Sequence, residues 1–138
     1  MDRSEFLKKI GIGAVAAACV HCLSGCTPED QVIAPPTNVD FTLDLTAPAN
    51  NALNTSGGYI YNGGIIVART VSGAYVALSM ACTHAGTTVY YDAGSNRFNC
   101  PSHGSIFATD GAVVQGPAGS PLAKYKTTLS GTSLRVYS

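Results

Sequence analysis

Two short stretches, Cys82-Thr83-His84 and Cys100-Pro101-Ser102-His103, place two thiols and two imidazoles as C-x-H, fifteen intervening residues, then C-x-x-H. A chain that must bring all four side chains together has few folds open to it. Two kinds of centre accept the set. Zinc takes two cysteines and two histidines in closed tetrahedral sites. A two-iron, two-sulfide cluster takes two thiolates on one iron and two imidazoles on the other. A lone His or Cys is usually a satisfied core residue, but four at metal spacing in two loops point to a site.

The residues around these stretches read as strands. Charged residues are only 12% of the chain, Gly occurs 15 times and Trp is absent. Frequent Gly, Tyr, Thr and Val with little Glu or Lys argues for an all-β domain. Val39, Phe41, Leu43 and Leu45 alternate with polar neighbours, the pattern of a half-buried strand. Pro48 to Gly58 reads as a loop rich in Asn, Gly and Ser. Hairpins are predicted at Asn62-Gly63, at Ser72-Gly73, across Asp92 to Asn96, at Asp110-Gly111 and at Ser130-Gly131. Each ligand pair then leaves a strand end, and the hairpin between them folds one loop back beside the other. No stretch keeps a helical period, so a zinc finger with its histidines on a helix is not signalled. Formal net charge is zero, with no basic stripe, which argues against nucleic acid as a partner.

The five cysteines do not form one disulfide framework, since three lie in the first 26 residues. Arg3, Lys8 and Lys9 precede about fourteen mostly apolar residues, Ile10 to Leu23, too short for a hydrocarbon core of ~30 Å. That length suits a secretory signal. It ends in Leu23-Ser24-Gly25-Cys26, which resembles the bacterial lipobox; residues 1–25 are then removed and Cys26 is lipidated. Arg3-Ser4 stands where a twin-arginine signal has its pair. Residues 26–38, with three prolines and no periodicity, read as a tether reaching at most ~40 Å, and 39–138 as the folded domain. The chain is thus expected in the bacterial cell envelope, held to a membrane by lipid on the periplasmic or outer surface.

Cys82-Thr83-His84-Ala85-Gly86 and Cys100-Pro101-Ser102-His103-Gly104-Ser105 resemble the two cluster-binding boxes of Rieske proteins. Asp110-Gly111, Gly116-Pro117-Ala118, Leu122 and Tyr125 resemble the segment beyond the second box in that family, including its proline-containing cover loop. The resemblance implies an antiparallel β-sandwich with a small cluster-binding subdomain of two loops. It implies one [2Fe–2S] cluster, with Cys82 and Cys100 on one iron, His84 and His103 on the other, and Ser105 donating to a bridging sulfide. Quinol-oxidising members of the cytochrome bc type carry two bridged cysteines where this chain has Thr87 and Ser102. Their hydrogen-bonding tyrosine falls at Phe107.

Two ferric ions, two sulfides and two thiolates sum to zero charge, and one electron takes the site to minus one. Imidazoles in place of two thiolates make reduction easier, hence ~−150 to +300 mV for such centres against ~−400 mV for plant-type ferredoxins. The chain is therefore expected to transfer single electrons, as a carrier or oxidoreductase subunit rather than a stand-alone catalyst. Its partner would be a cytochrome or oxidoreductase. A quinol-oxidising subunit is the alternative, and a zinc-stabilised surface lipoprotein the less favoured one.

Overall fold

The computed structural model describes residues 33–138. The predicted export signal and lipobox therefore lie outside the described residues. Among the described residues ten strands run in chain order: β1 (Asp40–Asp44), β2 (Tyr59–Asn62), β3 (Ile65–Arg69), β4 (Tyr75–Ser79), β5 (Tyr90–Asp92), β6 (Arg97–Asn99), β7 (Ile106–Phe107), β8 (Val113–Gln115), β9 (Lys124–Ser130) and β10 (Ser133–Tyr137). They build two antiparallel sheets. Six strands lie in the order β1-β10-β9-β4-β3-β2, and four in the order β5-β6-β7-β8. The four-stranded sheet is an insertion between β4 and β9, which pair with each other across it. The expected all-β antiparallel fold is present, and the subdomain around the ligand loops has a sheet of its own.

The alternation read from Val39 to Leu45 forms β1, with Leu43 and Leu45 buried and Asp40, Thr42 and Asp44 exposed. On β3 the residues Ile65 to Ala68 are all buried, because both faces of this strand are covered. Ile66 and Ala68 join Leu78 in a core shared with the small sheet. Ile65 and Val67 join Leu43, Leu53, Tyr125, Leu134 and Val136 in a second core on the other face. Fully burying a side chain such as Leu134 stabilises by about 1.5–3 kcal/mol.

Two local expectations are corrected. Residues 48–54, predicted as loop, form a 3-10 helix, Pro48–Asn54. Pro48 supplies the fixed φ of a first helical turn, and Leu53, fully buried, plugs the second core. The β2–β3 turn falls on Gly63-Gly64, one residue later than predicted, with φ of +56° and +86°. Both central positions of this two-residue turn need positive φ, which glycine adopts without cost.

The small sheet is fixed to the large one by two tyrosines. Tyr61 on β2 donates its hydroxyl to the Val89 carbonyl at 2.8 Å. Tyr91 on β5 donates to Asn96 Oδ1 at 2.6 Å and accepts the Val71 amide at 3.2 Å. The end of the predicted tether is also held: Tyr125 donates to the Pro36 carbonyl at 2.6 Å.

Candidate metal centre

The first ligand loop leaves β4, and the second joins β6 to β7. Both close with one bonding scheme. In the first, the Cys82 amide donates to the Thr87 carbonyl and the Gly86 amide to the Cys82 carbonyl, each at 2.8 Å. In the second, the Cys100 amide donates to the Ser105 carbonyl at 2.8 Å and the Gly104 amide to the Cys100 carbonyl at 3.2 Å. Each loop turns on a glycine four residues after its cysteine, Gly86 at φ +75° and Gly104 at φ +79°. An L-residue rarely adopts that conformation.

This folding brings the four predicted ligands together in pairs. Cys82 and Cys100 are 1% and 2% exposed and form no disulfide. Burial pushes the Cys100 thiol above its ordinary pKa; the backbone amides of Ser102 and His103 pull the other way, and the neighbouring Cys82 thiol adds to the rise. The His84 and His103 rings stand edge to face, 4.8 Å between centroids and 82° between planes. His103 is exposed and His84 half-buried. Soft thiols therefore sit inside and imidazoles toward solvent.

A third loop, residues 116–121, lies against both. It contains the cis peptide Gly116-Pro117. The Ala118 amide donates to Ser105 Oγ at 3.0 Å inside the domain, and Thr83 Oγ1 donates to the Ser120 carbonyl at 2.6 Å. Ser105, singled out from the sequence, is fully buried at this junction. The roles of Thr83 and the third loop's carbonyls were not legible from residue types. No Lys, Arg, Asp or Glu occurs in residues 80–91, 98–109 or 113–123, so the charge of anything held here is set by its own atoms and these four ligands.

The donor set fits a two-metal centre. A cluster that takes thiolates on one iron and imidazoles on the other needs two adjacent pairs, which is the arrangement of Cys82 with Cys100 and His84 with His103.

Comparison with known proteins agrees. The model of the Rieske [2Fe-2S] domain family matches residues 46–126. The cytochrome b6-f complex iron-sulfur subunit of Chlorobaculum tepidum is 32% identical over 133 residues, covering 93% of this chain and 71% of that one. Among solved structures, the plasma membrane Rieske protein of Synechocystis PCC 6803 superposes with a TM-score of 0.52 at 31% identity, over 69% of this chain and 92% of that one. The ferredoxin of carbazole 1,9a-dioxygenase from Nocardioides aromaticivorans IC177 shares the fold, with a TM-score of 0.55 at 24% identity over 74% and 98% of the two chains.

Proposed function

The chain belongs to the Rieske [2Fe–2S] domain family, and from that premise we propose that Cys82 and Cys100 hold one iron of its cluster, His84 and His103 the other, while Ser105 supports the site. The family's centre is a Rieske-type [2Fe–2S] cluster, and its function is one-electron transfer. The placing of two buried thiols on the two ligand loops, with two adjacent imidazoles nearer solvent, carries the ligand assignment. Cys82 and Cys100 keep water from the inner side of the site. His103, the exposed member, is the side chain nearest an electron-exchange partner.

Docking at the His103 end would be governed by shape and small polar groups, because the three loops carry no formal charge. The partner class is a cytochrome or an oxidoreductase. A second reading, a subunit of a quinol-oxidising complex, draws support from the likeness to the Chlorobaculum b6-f subunit across 93% of this chain. Thr87 and Ser102 in place of a cysteine pair speak for the carrier.

Residues 1–25 would act as the export signal, Cys26 would carry the lipid, and 26–38 would tether the domain at the envelope membrane. Among the described residues no helix is long and apolar enough to cross a membrane. The lipid would contribute ~0.8 kcal/mol per buried CH2.

Iron and acid-labile sulfide analysis, with electron paramagnetic resonance after reduction, tests the centre. Two iron and two sulfide per chain are expected; colourless protein with zinc would end the assignment. Reduction of the cluster by a quinol analogue would favour the second reading. Cys26→Ser should release the chain from membranes, and unchanged association would remove the anchor.

A further inference from the structure

A β-bulge brings one side chain to the second ligand loop that neither the ligand set nor the core explains. Phe107 of β7 pairs with Val113 of β8, and regular pairing would set Val114 opposite Ile106. Instead Ile106 pairs with Gln115, and Val114 is the extra residue, 52% exposed. Bulges beside functional sites re-aim a side chain. Here Gln115 Nε2 reaches back and donates to the carbonyl of Gly104 at 3.1 Å. Gly104 lies between the ligand His103 and the buried Ser105.

Little else holds that carbonyl. Gly104 is exposed, and a Cβ built on it would meet nothing within 4 Å. Its own amide is held by the Cys100 carbonyl at 3.2 Å, but that bond fixes the preceding peptide plane. The Gly104–Ser105 plane is restrained from the Gly104 side by Gln115. In a trans peptide the C=O and the following N–H point in opposite directions. A carbonyl drawn toward Gln115 thus turns the Ser105 amide away from Gln115, and a donor on the carbonyl also polarises that amide.

We propose that Gln115 is a positioning residue: its hydrogen bond to the Gly104 carbonyl fixes the Gly104–Ser105 peptide and thereby raises the reduction potential of the cluster. The proposal rests on the ligand assignment above. An amide held and polarised beside the ligands favours the more negative, reduced site. Gln115 acts through the second ligand loop, without touching iron or sulfide.

Two substitutions in the full-length, cluster-loaded protein test it. Gln115→Met keeps length and neutrality but has no donor, and Gln115→Lys keeps a donor at similar reach. At a fixed poise, the reduced-to-oxidised ratio of Gln115→Met should fall about three- to tenfold, tenfold being about 59 mV for one electron. Its resonance line positions should move, and Gln115→Lys should restore the ratio to wild type or above. Loss of the cluster in Gln115→Met but not in Gln115→Lys also supports the role. A Gln115→Met ratio and spectrum equal to wild type would overturn it, as would equal shifts or equal cluster loss in both variants. A wild-type protein without iron and sulfide would overturn the ligand assignment itself and this inference with it. A loaded wild type with an unresponsive Gln115→Met removes only the inference.

Discussion

Replacing Ser105 by alanine separates two roles of one oxygen atom. The residue is fully buried, and its Oγ accepts the Ala118 amide at 3.0 Å. A hydroxyl has one donor and two acceptor sites, so that bond leaves the Ser105 proton to serve another acceptor. In Ser105→Ala the buried Ala118 N–H loses its partner, and an orphaned buried donor costs about 1–3 kcal/mol. The second loss is redox. If the hydroxyl bond is about 1–2 kcal/mol stronger to the reduced, more negative cluster, its removal lowers the potential by roughly 40–90 mV, at about 59 mV per tenfold for one electron. Film voltammetry and urea unfolding on one preparation measure both. Lowered stability with a wild-type potential would refute the donor role of Ser105; a lowered potential with wild-type stability would refute the importance of the Ala118 bond.

Phe107→Tyr adds a hydroxyl to a fully buried ring on β7, at the position opposite Phe98 of β6; the potential should rise in film voltammetry, and a value equal to or below wild type counts against that. Gly111→Ala forces a Cβ to 2.4 Å from the Leu122 carbonyl oxygen at φ +90°, where the Leu122 amide bonds Gly111. Stability should fall by more than about 2 kcal/mol in denaturant unfolding, through backbone strain and the broken link to the third loop. Hydrogen bonds from the Thr46 hydroxyl and amide hold the Asp44 carboxyl below its ordinary range. A depressed folded pKa gives stability that is present above the ordinary carboxylate range and lost as pH falls through the folded value. Asp44→Asn should therefore melt with a slightly flatter acid limb; an identical limb would mean that these bonds do not stabilise the fold.

The elements that could be read from the sequence are those whose signal is local. Alternation at Val39 to Leu45 gave β1, and turn residues gave the hairpins, since a period of two and a positive φ are properties of a few neighbouring residues. The four proposed ligands stand out in the sequence because chemistry and spacing coincide. The pairing of β4 with β9 was not, because alternation says which face is buried and not which strand lies alongside. The 3-10 helix at Pro48–Asn54 has no period to reveal it. The loop contacts of Thr83 and Gln115 involve polar residues that look like any surface position until Ser120 and Gly104 are brought beside them. The common scheme of the two loops was present as Cys82 with Gly86 and Cys100 with Gly104, but the unequal Cys-to-His spacing masked it.

The two cores differ in what holds them, and that sets how the domain should come apart. Cys82 and Cys100 belong to the core that joins the small sheet to Ile66, Ala68 and Leu78. The strands of that sheet have only two or three residues each, so few ladder bonds support them. The other core, around Leu43, Leu53, Leu134 and Val136, contains none of the four proposed ligands. Binding free energy at a site absent from the unfolded chain is folding free energy, and a cluster held by the proposed ligands would place it on one sheet. Removing iron with a chelator should therefore release amide protection in β5 to β8 and leave β1 to β4, β9 and β10 largely protected in hydrogen exchange, about tenfold in exchange rate for each ~1.4 kcal/mol lost locally. Uniform loss across both sheets would mean one cooperative unit coupled through Leu78 and Ile66. Full protection of β5 to β8 without iron would mean that Tyr61 and Tyr91 suffice to hold the small sheet, and that the ligand loops stand preformed.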